Sequence, residues 1–172
     1  MANEEHFALI VQGADTWNRW WKLNPTIKAD LSNVDLRKAD LCRAILINAN
    51  LNKAKLNNAN MVDVNLSGAN LSEANLSEAT LSGANLNEAN LSKANLNRAN
   101  LTRTILVDTN LTEAKLVGAN LTRTILIRAQ LRRANFTDAT LRGANFSSVK
   151  FESTILPNGK LWISKSEILA FL

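Results

Sequence analysis

A large apolar residue recurs at every fifth position from Leu31 to Leu156 without interruption. Leucine occupies most of these 26 positions, which we call centres, and four centres carry Met61, Phe136, Phe146 and Phe151 instead. Ala, Val or Thr always stands two positions before a centre, and the residue between them is usually Asn or Asp. A five-residue period matches neither the 3.6-residue period of a helix nor the two-residue period of a strand. The pattern therefore requires another repeating geometry.

Each five-residue unit, or pentad, can supply one short side and one corner of a coil. Residues two apart in an extended segment share a face, so the small residue and the centre point inward while the residue between them points outward. The motif Leu-x-Arg-x-Ile-Leu begins at Leu41, Leu101 and Leu121, with offsets of 60 and 20 residues. Both offsets are multiples of 20, which predicts four pentads per turn. We interpret the outward asparagines as structural ladders of stacked amides.

The A(N/D)Lxx repeat resembles the pentapeptide repeat family over about three quarters of the chain. The resemblance implies an all-β solenoid, a right-handed quadrilateral parallel β-helix, which here would have about 6.5 coils and short α-helical caps at both ends. Some pentads depart from the pattern, because Ile or Lys replaces the usual Asn or Asp before the centre at Ile45, Ile105, Ile125 and Ile155 and at Lys55, Lys115 and Lys150.

The sequence predicts an N-terminal capping helix over residues 1–25, before the repeat of residues 26–158. Asn3 is a suitable N-cap, and acidic residues follow it at the positive end of the helix. Apolar residues at spacings of three and four, from Phe7 to Trp21, form a single stripe that would cover the first coil. Asn24-Pro25 ends this helix. The run from Trp17 to Pro25 also resembles the leader before the repeats in many such proteins of photosynthetic bacteria.

Residues 159–172 are predicted to form a C-terminal cap within the same structural domain. Pro157-Asn158-Gly159 is a turn signal, and residues 161–163 supply an apolar lid. Ser164 and Glu167 have the spacing of a capping box ahead of a short helix through Leu172. That helix either covers the last coil or contacts a second copy. Family members pair through their C-terminal ends, so both a monomer and a C-terminally associated homodimer are open.

Cysteine usage and the first residues favour the cytoplasm. Cys42 is the single cysteine and occupies an outward position, which excludes an internal disulfide and fits a reducing compartment. Met1–Glu5 is acidic where a secretory leader would be basic, and the apolar run Phe7–Val11 is too short for a signal core or a membrane span. We expect no membrane association.

The sequence contains no recognisable catalytic, cofactor-binding or metal-binding constellation. His6 is the only histidine, and a pair of His6 with Cys42 would lack an orienting group. Four glycines could suggest a phosphate loop, but all occupy the second position after a centre and are corner residues: Gly68, Gly83, Gly118 and Gly143. We expect a noncatalytic protein without a cofactor.

An aliphatic stripe is the first candidate binding surface. Ile105 and Val107 should lie one coil below Ile125 and Ile127, because 20 residues make a turn. An apolar centre with a charged rim is typical of a protein-binding patch. The alternative is that β-branched residues only strengthen the strands there. The predicted patch comprises the four aliphatic residues and a charged rim of Arg103, Arg123 and Arg128, with Asp108 beside Arg128.

A basic half of the chain is the second candidate. Residues 101–150 contain eight basic and three acidic residues, a net charge of +5 that equals the net charge of the whole chain. Arg132, Arg133 and Arg142 are the candidate anion-binding residues. Such asymmetry favours anionic partners. Solvated solenoid surface is the alternative, since no aromatic residues alternate with the basic ones as single-strand binders require.

These observations favour a noncatalytic scaffold that binds a protein partner. Some pentapeptide repeat proteins protect DNA gyrase from inhibitors by imitating duplex DNA with an acidic rod, so the resemblance offers a second function. The net positive charge of this chain argues against such mimicry. Direct binding of nucleic acid is compatible with the charge, but no reading element is evident, and only weak binding is expected.

Overall fold

Parallel β-bridges join residues 20 apart along most of the chain. The computed structural model describes residues 2–162 and 168–172. Between Asp30 and Ile155, the residue before each centre pairs with the equivalent residue one coil later, as Asn65 pairs with Asn85. Four pentads therefore make one turn, as the motif spacing predicts. Each bridge is one residue long, and no longer strand occurs in the described residues.

Three backbone hydrogen bonds connect neighbouring coils on each side. On the side that carries Leu66, its N–H donates to the oxygen of Asn85 at 2.7 Å, and Gly68 N–H donates to Asn87 at 2.8 Å. Asn85 N–H returns a bond to the oxygen of Val64 at 2.9 Å. Every coil consequently presents the same donors and acceptors to the next one, so coils stack in one register.

The core consists of columns of centres and small residues. Leu96 and Ala94 are fully buried, and the same pattern extends through Phe136. Where threonine replaces alanine, its buried hydroxyl donates to the carbonyl of a centre one coil earlier, as Thr104 does to Leu81 at 2.7 Å. This bond satisfies the buried hydroxyl group. Phe146 and Phe151 are less completely covered, whereas the last centre, Leu156, is again buried.

The corners are turns with a left-handed residue. The N–H of Ala94 donates to the oxygen of Leu91 at 3.0 Å, which closes a four-residue turn around Ser92 and Lys93. Lys93 has φ of 60°, as the second position after a centre does throughout the repeat. A negative φ followed by a positive φ is the type II pattern. Most of these left-handed corners carry charged side chains rather than glycine.

Outward asparagines connect both turns and coils. Asn90 Oδ1 accepts from the backbone N–H of Ser92 at 3.0 Å and from the amide of Asn110 at 3.4 Å. Asn90 Nδ2 donates to Asn70 Oδ1 at 3.3 Å. The amide ladder that the sequence suggested is therefore present on this side of the coil.

Two helices precede the repeat, so the prediction of a single helix was wrong. Helix α1 spans Glu4–Ile10 and helix α2 spans Ala14–Leu23. Gly13 separates them with φ of 107°, a conformation outside the helical region that glycine adopts without a steric cost. The predicted apolar face was also partly wrong. His6, Ile10 and Trp17 are buried, whereas Phe7 and Val11 are exposed.

The two helices lie against the first coil, where a preceding coil would otherwise be. The backbone N–H of Asp30 donates to Nδ1 of His6 at 3.0 Å, and Asp30 oxygen accepts from Asn3 N–H at 3.1 Å. The indole of Trp17 donates to the oxygen of Ile45 at 2.7 Å, and Asn18 Oδ1 accepts from Ile45 N–H, also at 2.7 Å. In later coils the equivalent backbone groups bond to the preceding coil.

The chain reverses direction after Pro157-Asn158-Gly159. Ile155 pairs in the antiparallel sense with Leu161, and Trp162 N–H donates to Thr154 oxygen at 2.8 Å. Leu161 is 57% exposed, so its predicted role in an apolar lid was wrong. Trp162 instead stacks on Phe151, with ring centroids 4.9 Å apart.

Part of the predicted C-terminal cap cannot be compared with the structure. Ile163 and the capping box of Ser164 and Glu167 lie outside the described residues. Beyond them, Ile168 is buried and Leu169 is exposed, and the backbone oxygen of Leu172 accepts from Gly143 N–H at 2.8 Å. Among the helices that the structure describes, none has the length and apolar character to cross a membrane.

Candidate binding surfaces

The aliphatic stripe lies on one side of the coil. Ile105 pairs directly with Ile125, and Val107 and Ile127 follow them at the same register. All four side chains are half-buried. Asn85 pairs with Ile105 from the coil below, and Asn145 pairs with Ile125 from the coil above, so polar residues bound the stripe along the coil axis. The predicted aliphatic residues are therefore brought together.

The stripe interrupts the hydrogen bonding of the outward asparagines. On this side, Asn85 Oδ1 accepts from Asn87 N–H at 3.1 Å and Asn145 Oδ1 accepts from Ser147 N–H at 3.0 Å. Isoleucine at positions 105 and 125 cannot accept such a bond. Within the described residues, the N–H groups of Val107 and Ile127 have no acceptor. The stripe thus combines an apolar surface with two available backbone donors.

Arg128 is paired with Asp108 at the far corner of this side, which directly follows Val107 and Ile127 in the sequence. Nε of Arg128 lies 2.7 Å from Oδ1 of Asp108, and the second guanidinium nitrogen bonds to Oδ2. Hydrogen bonding from Arg128 lowers the pKa of the Asp108 carboxyl, and Asp108 raises the pKa of Arg128. The predicted charged rim is therefore electrically balanced at this corner.

Arg103 and Arg123 lie at the near corner, which precedes Ile105 and Ile125 in the sequence. They line a depression on the adjacent side of the coil. This depression has a volume of about 440 Å³, and Arg142 from the next coil also lines it. Thr102, Thr122, Gly143 and Leu172 complete its lining. The sequence grouped Arg142 with Arg132 and Arg133, but the structure places it with Arg103 and Arg123. Leu172 gave no signal in the sequence, because it reaches this surface only through the folding of the C-terminal segment.

Arg132 and Arg133 do not belong to that depression. Arg133 Nε lies 4.0 Å from Oε1 of Glu113. Arg132 lines a smaller depression of about 150 Å³ together with Lys150 and Glu152. Both arginines are exposed and have acidic side chains nearby. The three residues that the sequence proposed for anion binding therefore do not form one site.

The remaining reactive side chains have structural surroundings. His6 is buried, and its Nδ1 is occupied by the Asp30 N–H bond. Cys42 is half-buried beside Asp40 and the start of helix α2. In the part of the chain that the structure describes, no group of three or more His, Cys, Asp or Glu residues is placed to hold a metal ion.

The family model for pentapeptide repeats matches this chain in eight copies. The matched segments are residues 27–62, 59–98, 104–143 and 114–153. Together they cover well over half of the chain and all four sides of the coil. A comparison with curated proteins gives no significant match.

Solved structures of pentapeptide repeat proteins are also similar. HetL, a pentapeptide repeat protein involved in heterocyst differentiation regulation from the cyanobacterium Nostoc sp. strain PCC 7120, is 30% identical over 77% of this chain and 78% of its own, with a TM-score of 0.46. Rfr23 from the cyanobacterium Cyanothece 51142 is 23% identical over 87% of this chain and all of its own, with a TM-score of 0.39.

A third solved structure shows the fold. A trypsin-treated variant of QnrB1, a plasmid-mediated fluoroquinolone resistance protein, is 20% identical over 80% of this chain and 74% of its own, with a TM-score of 0.50. Such proteins form right-handed quadrilateral β-helices. The repeat, the 20-residue register and these similarities together show that the chain belongs to the pentapeptide repeat family.

Proposed function

We propose that this chain is a noncatalytic scaffold that binds a protein partner through the stripe of Ile105, Val107, Ile125 and Ile127. The observation that carries the proposal is the replacement of two bonding asparagines by isoleucine in consecutive coils. This replacement leaves the N–H groups of Val107 and Ile127 without acceptors. A backbone donor without a partner is unfavourable in a half-buried position. A bound partner would supply the acceptors that these two N–H groups lack.

The stripe favours a partner that brings aliphatic side chains and carbonyl acceptors. Binding patches have an apolar centre that is desolvated on contact and a polar rim that stays wet. The stripe supplies the centre, and the Asp108–Arg128 pair supplies a rim whose charges are already matched. At this corner the rim does not demand a strongly charged partner. An extended segment of another protein meets both requirements, because its side chains and its carbonyl groups alternate along the strand.

The proposal also covers how the two ends of the solenoid are closed and where and in what oligomeric state the protein acts. Helices α1 and α2 close one end by satisfying the first coil, and the C-terminal segment closes the other end of a solenoid of about 6.5 coils. We further propose a cytoplasmic setting, no membrane partner, and a monomer as the basic unit, with C-terminal homodimerisation as the alternative. HetL is involved in heterocyst differentiation regulation. A regulatory role for a relative fits a scaffold that acts by binding.

A nucleic-acid-related role is the second candidate, and the charge distribution favours it. The net charge of +5 in residues 101–150 would attract a polyanion. The same charge argues against gyrase or topoisomerase modulation by imitation of duplex DNA, which requires an acidic rod. Binding to DNA would be weak, independent of sequence and strongly reduced by salt. Charge reversal at Arg132 and Arg133 would weaken it further.

The double variant Ile105→Asp with Ile125→Asp tests the scaffold proposal. The purified wild type and variant are used to capture proteins from the native host, and self-association is measured by light scattering. We expect the variant to lose the partner, because a charge in a buried interface must be desolvated. A matched control, Asn75→Asp with Asn95→Asp, introduces the same charges in the same pentad position on the opposite side of the coil. It should retain the partner.

The circular dichroism spectrum and melting temperature verify the fold of both variants. Neither change creates a core cavity, because the substituted side chains point outward. A partner that the stripe variant still binds at full affinity would contradict the proposal and assign the aliphatic residues to strand stability alone. Loss of the partner in both variants would show that charge, and not the stripe, decides binding.

A further inference from the structure

Charges at the corners of the coil are mostly arranged in opposite-sign neighbours. One corner carries Lys53, Glu73, Lys93, Glu113 and Arg133 in consecutive coils, so the sign alternates at every step. The Lys53 ammonium lies 3.7 Å from a Glu73 carboxylate oxygen, and Arg133 lies 4.0 Å from Glu113. Another corner contains the Asp108–Arg128 pair. Stacked corners therefore pair opposite charges at most steps, and where Glu88 and Asp108 are like-charged neighbours, Asp108 is paired with Arg128 in the next coil.

Arg103 and Arg123 break this arrangement. They occupy the same corner in consecutive coils, which are about 4.8 Å apart in a β structure. The corner positions directly below and above them are Gly83 and Gly143, so neither neighbouring coil supplies a counter-charge. Among the described residues, no carboxylate oxygen lies within 4.0 Å of the side-chain nitrogens of either arginine. Within that distance, these two like charges have no acidic partner among the described residues, so an anion between them would reduce their mutual repulsion.

Arg142 is the third arginine that lines the same depression of about 440 Å³. The hydroxyl groups of Thr102 and Thr122 donate to Asn100 and Asn120 at 2.7 Å. The hydroxyl protons of both threonines are therefore already used in hydrogen bonds. The side-chain donors that remain for a ligand in this depression are those of the arginines. Gly143 stands directly beside this part of the arginine pair, since a Cβ added to it would be in van der Waals contact, at 3.5 Å, with Cγ of Arg123.

We propose that Arg103, Arg123 and Arg142 form a binding site for a small, multiply charged phosphoryl anion. Guanidinium groups bind phosphate oxygens through paired, charge-assisted hydrogen bonds. Three positive charges match a diphosphate better than a single carboxylate, which would leave two of them uncompensated. The depression lies around the corner from Ile105 and Ile125, and Arg103 and Arg123 stand at the corner that it shares with the stripe. The anion site uses none of the aliphatic residues of the stripe, so it does not depend on the protein-binding proposal.

Calorimetric titration of the purified chain with inorganic pyrophosphate tests this site. The wild type is compared with Arg103→Gln plus Arg123→Gln, and with the control Arg132→Gln plus Arg133→Gln. The two variants lose the same charge, but only the first alters the depression. Ionic strength is held constant with chloride, because general attraction is screened by salt. We expect the first variant to bind pyrophosphate at least about tenfold more weakly and the control to remain within about twofold.

Acetate and duplex DNA provide the two comparison ligands. Acetate at matched ionic strength should bind far more weakly than pyrophosphate, since it carries one charge. Equal loss in both arginine variants would overturn the proposal, because it would show attraction to net charge alone. Duplex DNA that binds more tightly than pyrophosphate and loses affinity in the first variant would also overturn it, in favour of a nucleic-acid surface. Melting temperatures confirm that both variants are folded. Partner capture is a separate measurement, so the two proposals can fail independently.

Discussion

The indole Nε1 of Trp17 lies 2.7 Å from the carbonyl oxygen of Ile45. In the middle of the repeat, the carbonyl at the same position accepts a backbone N–H from the coil before, as Ile105 does from Leu86 at 2.8 Å. A side chain from helix α2 has therefore replaced a backbone donor. This bond satisfies an acceptor at the end of the rod where no preceding coil exists.

Trp17→Phe should lower the free energy of unfolding by about 1–3 kcal/mol. Phenylalanine retains most of the buried ring but removes the donor, which leaves the Ile45 carbonyl without its partner. Urea denaturation followed by circular dichroism measures the change. Trp21→Phe on the same helix is the control and should change stability by less than about 1 kcal/mol, because Trp21 is only half-buried. Equal effects would show that ring volume, and not the hydrogen bond, stabilises this end.

Leu96→Ala should lower the free energy of unfolding by about 2–5 kcal/mol, since the side chain is fully buried in a column of centres. Ser92→Ala, in the preceding pentad, should change it by less than about 0.5 kcal/mol, because the serine points outward. Denaturant midpoints for both variants provide the comparison. A similar loss in the two would mean that the inward and outward faces have been assigned incorrectly.

The corner at Ser92 and Lys93 predicts opposite preferences for adjacent residues. Lys93 has φ of 60°, where an L-amino acid is strained and glycine is not. Lys93→Gly should therefore be more stable than Lys93→Ala by about 1 kcal/mol. At position 92, where φ is negative, Ser92→Ala should be more stable than Ser92→Gly by about 0.5–1 kcal/mol. Both comparisons are made between variants that lack the same side chain, so charge effects cancel. The same preference at both positions would contradict the turn geometry.

The Asp108–Arg128 pair predicts a pH-dependent contribution to stability. Hydrogen bonding from Arg128 lowers the pKa of Asp108 in the folded state. The contribution is therefore fully present above the ordinary pKa of aspartate and is lost as the pH falls through the lowered value. The stability difference between the wild type and Asp108→Asn should disappear in acid. NMR titration of the Asp108 carboxyl should show its pKa rising toward the ordinary value in Arg128→Gln. An unchanged titration in that variant would rule out the pairing.

The repeating part of the fold was predictable because the residue types in each pentad indicate which positions point inward and where the chain turns. Leu96 and Ala94 reveal the inward face, and the three Leu-x-Arg-x-Ile-Leu motifs give the turn length. The helices before the repeat were harder to predict. The apolar spacing continues across Gly13, so the sequence shows one stripe where the backbone turns. His6 is polar, yet it is buried because its Nδ1 is a needed acceptor at the first coil.

The candidate surfaces were predictable only where the 20-residue register defines them. Ile105 and Ile125 are neighbours for that reason. Arg142 stands at a different pentad position from Arg103 and Arg123, so its approach to them depends on side-chain directions that no pattern encodes. Asn97 is similar. Its place in the pentad is that of an ordinary outward residue, but its Oδ1 accepts from Val117 N–H at 3.0 Å, one coil away. Its replacement by alanine should therefore cost about 0.5–1.5 kcal/mol rather than almost nothing.

The turn length of four pentads also limits how this protein can change in size. Deletion of 20 consecutive residues, such as 69–88, shortens the rod by one coil and leaves every later residue on its original side. Deletion of a single pentad rotates everything after it by a quarter turn relative to helices α1 and α2. The coil spacing and the core would be nearly unaffected, yet the stripe and the arginines would face a new direction. The orientation of a surface around the axis is thus encoded by the number of pentads that precede it, independently of the residues that form the surface.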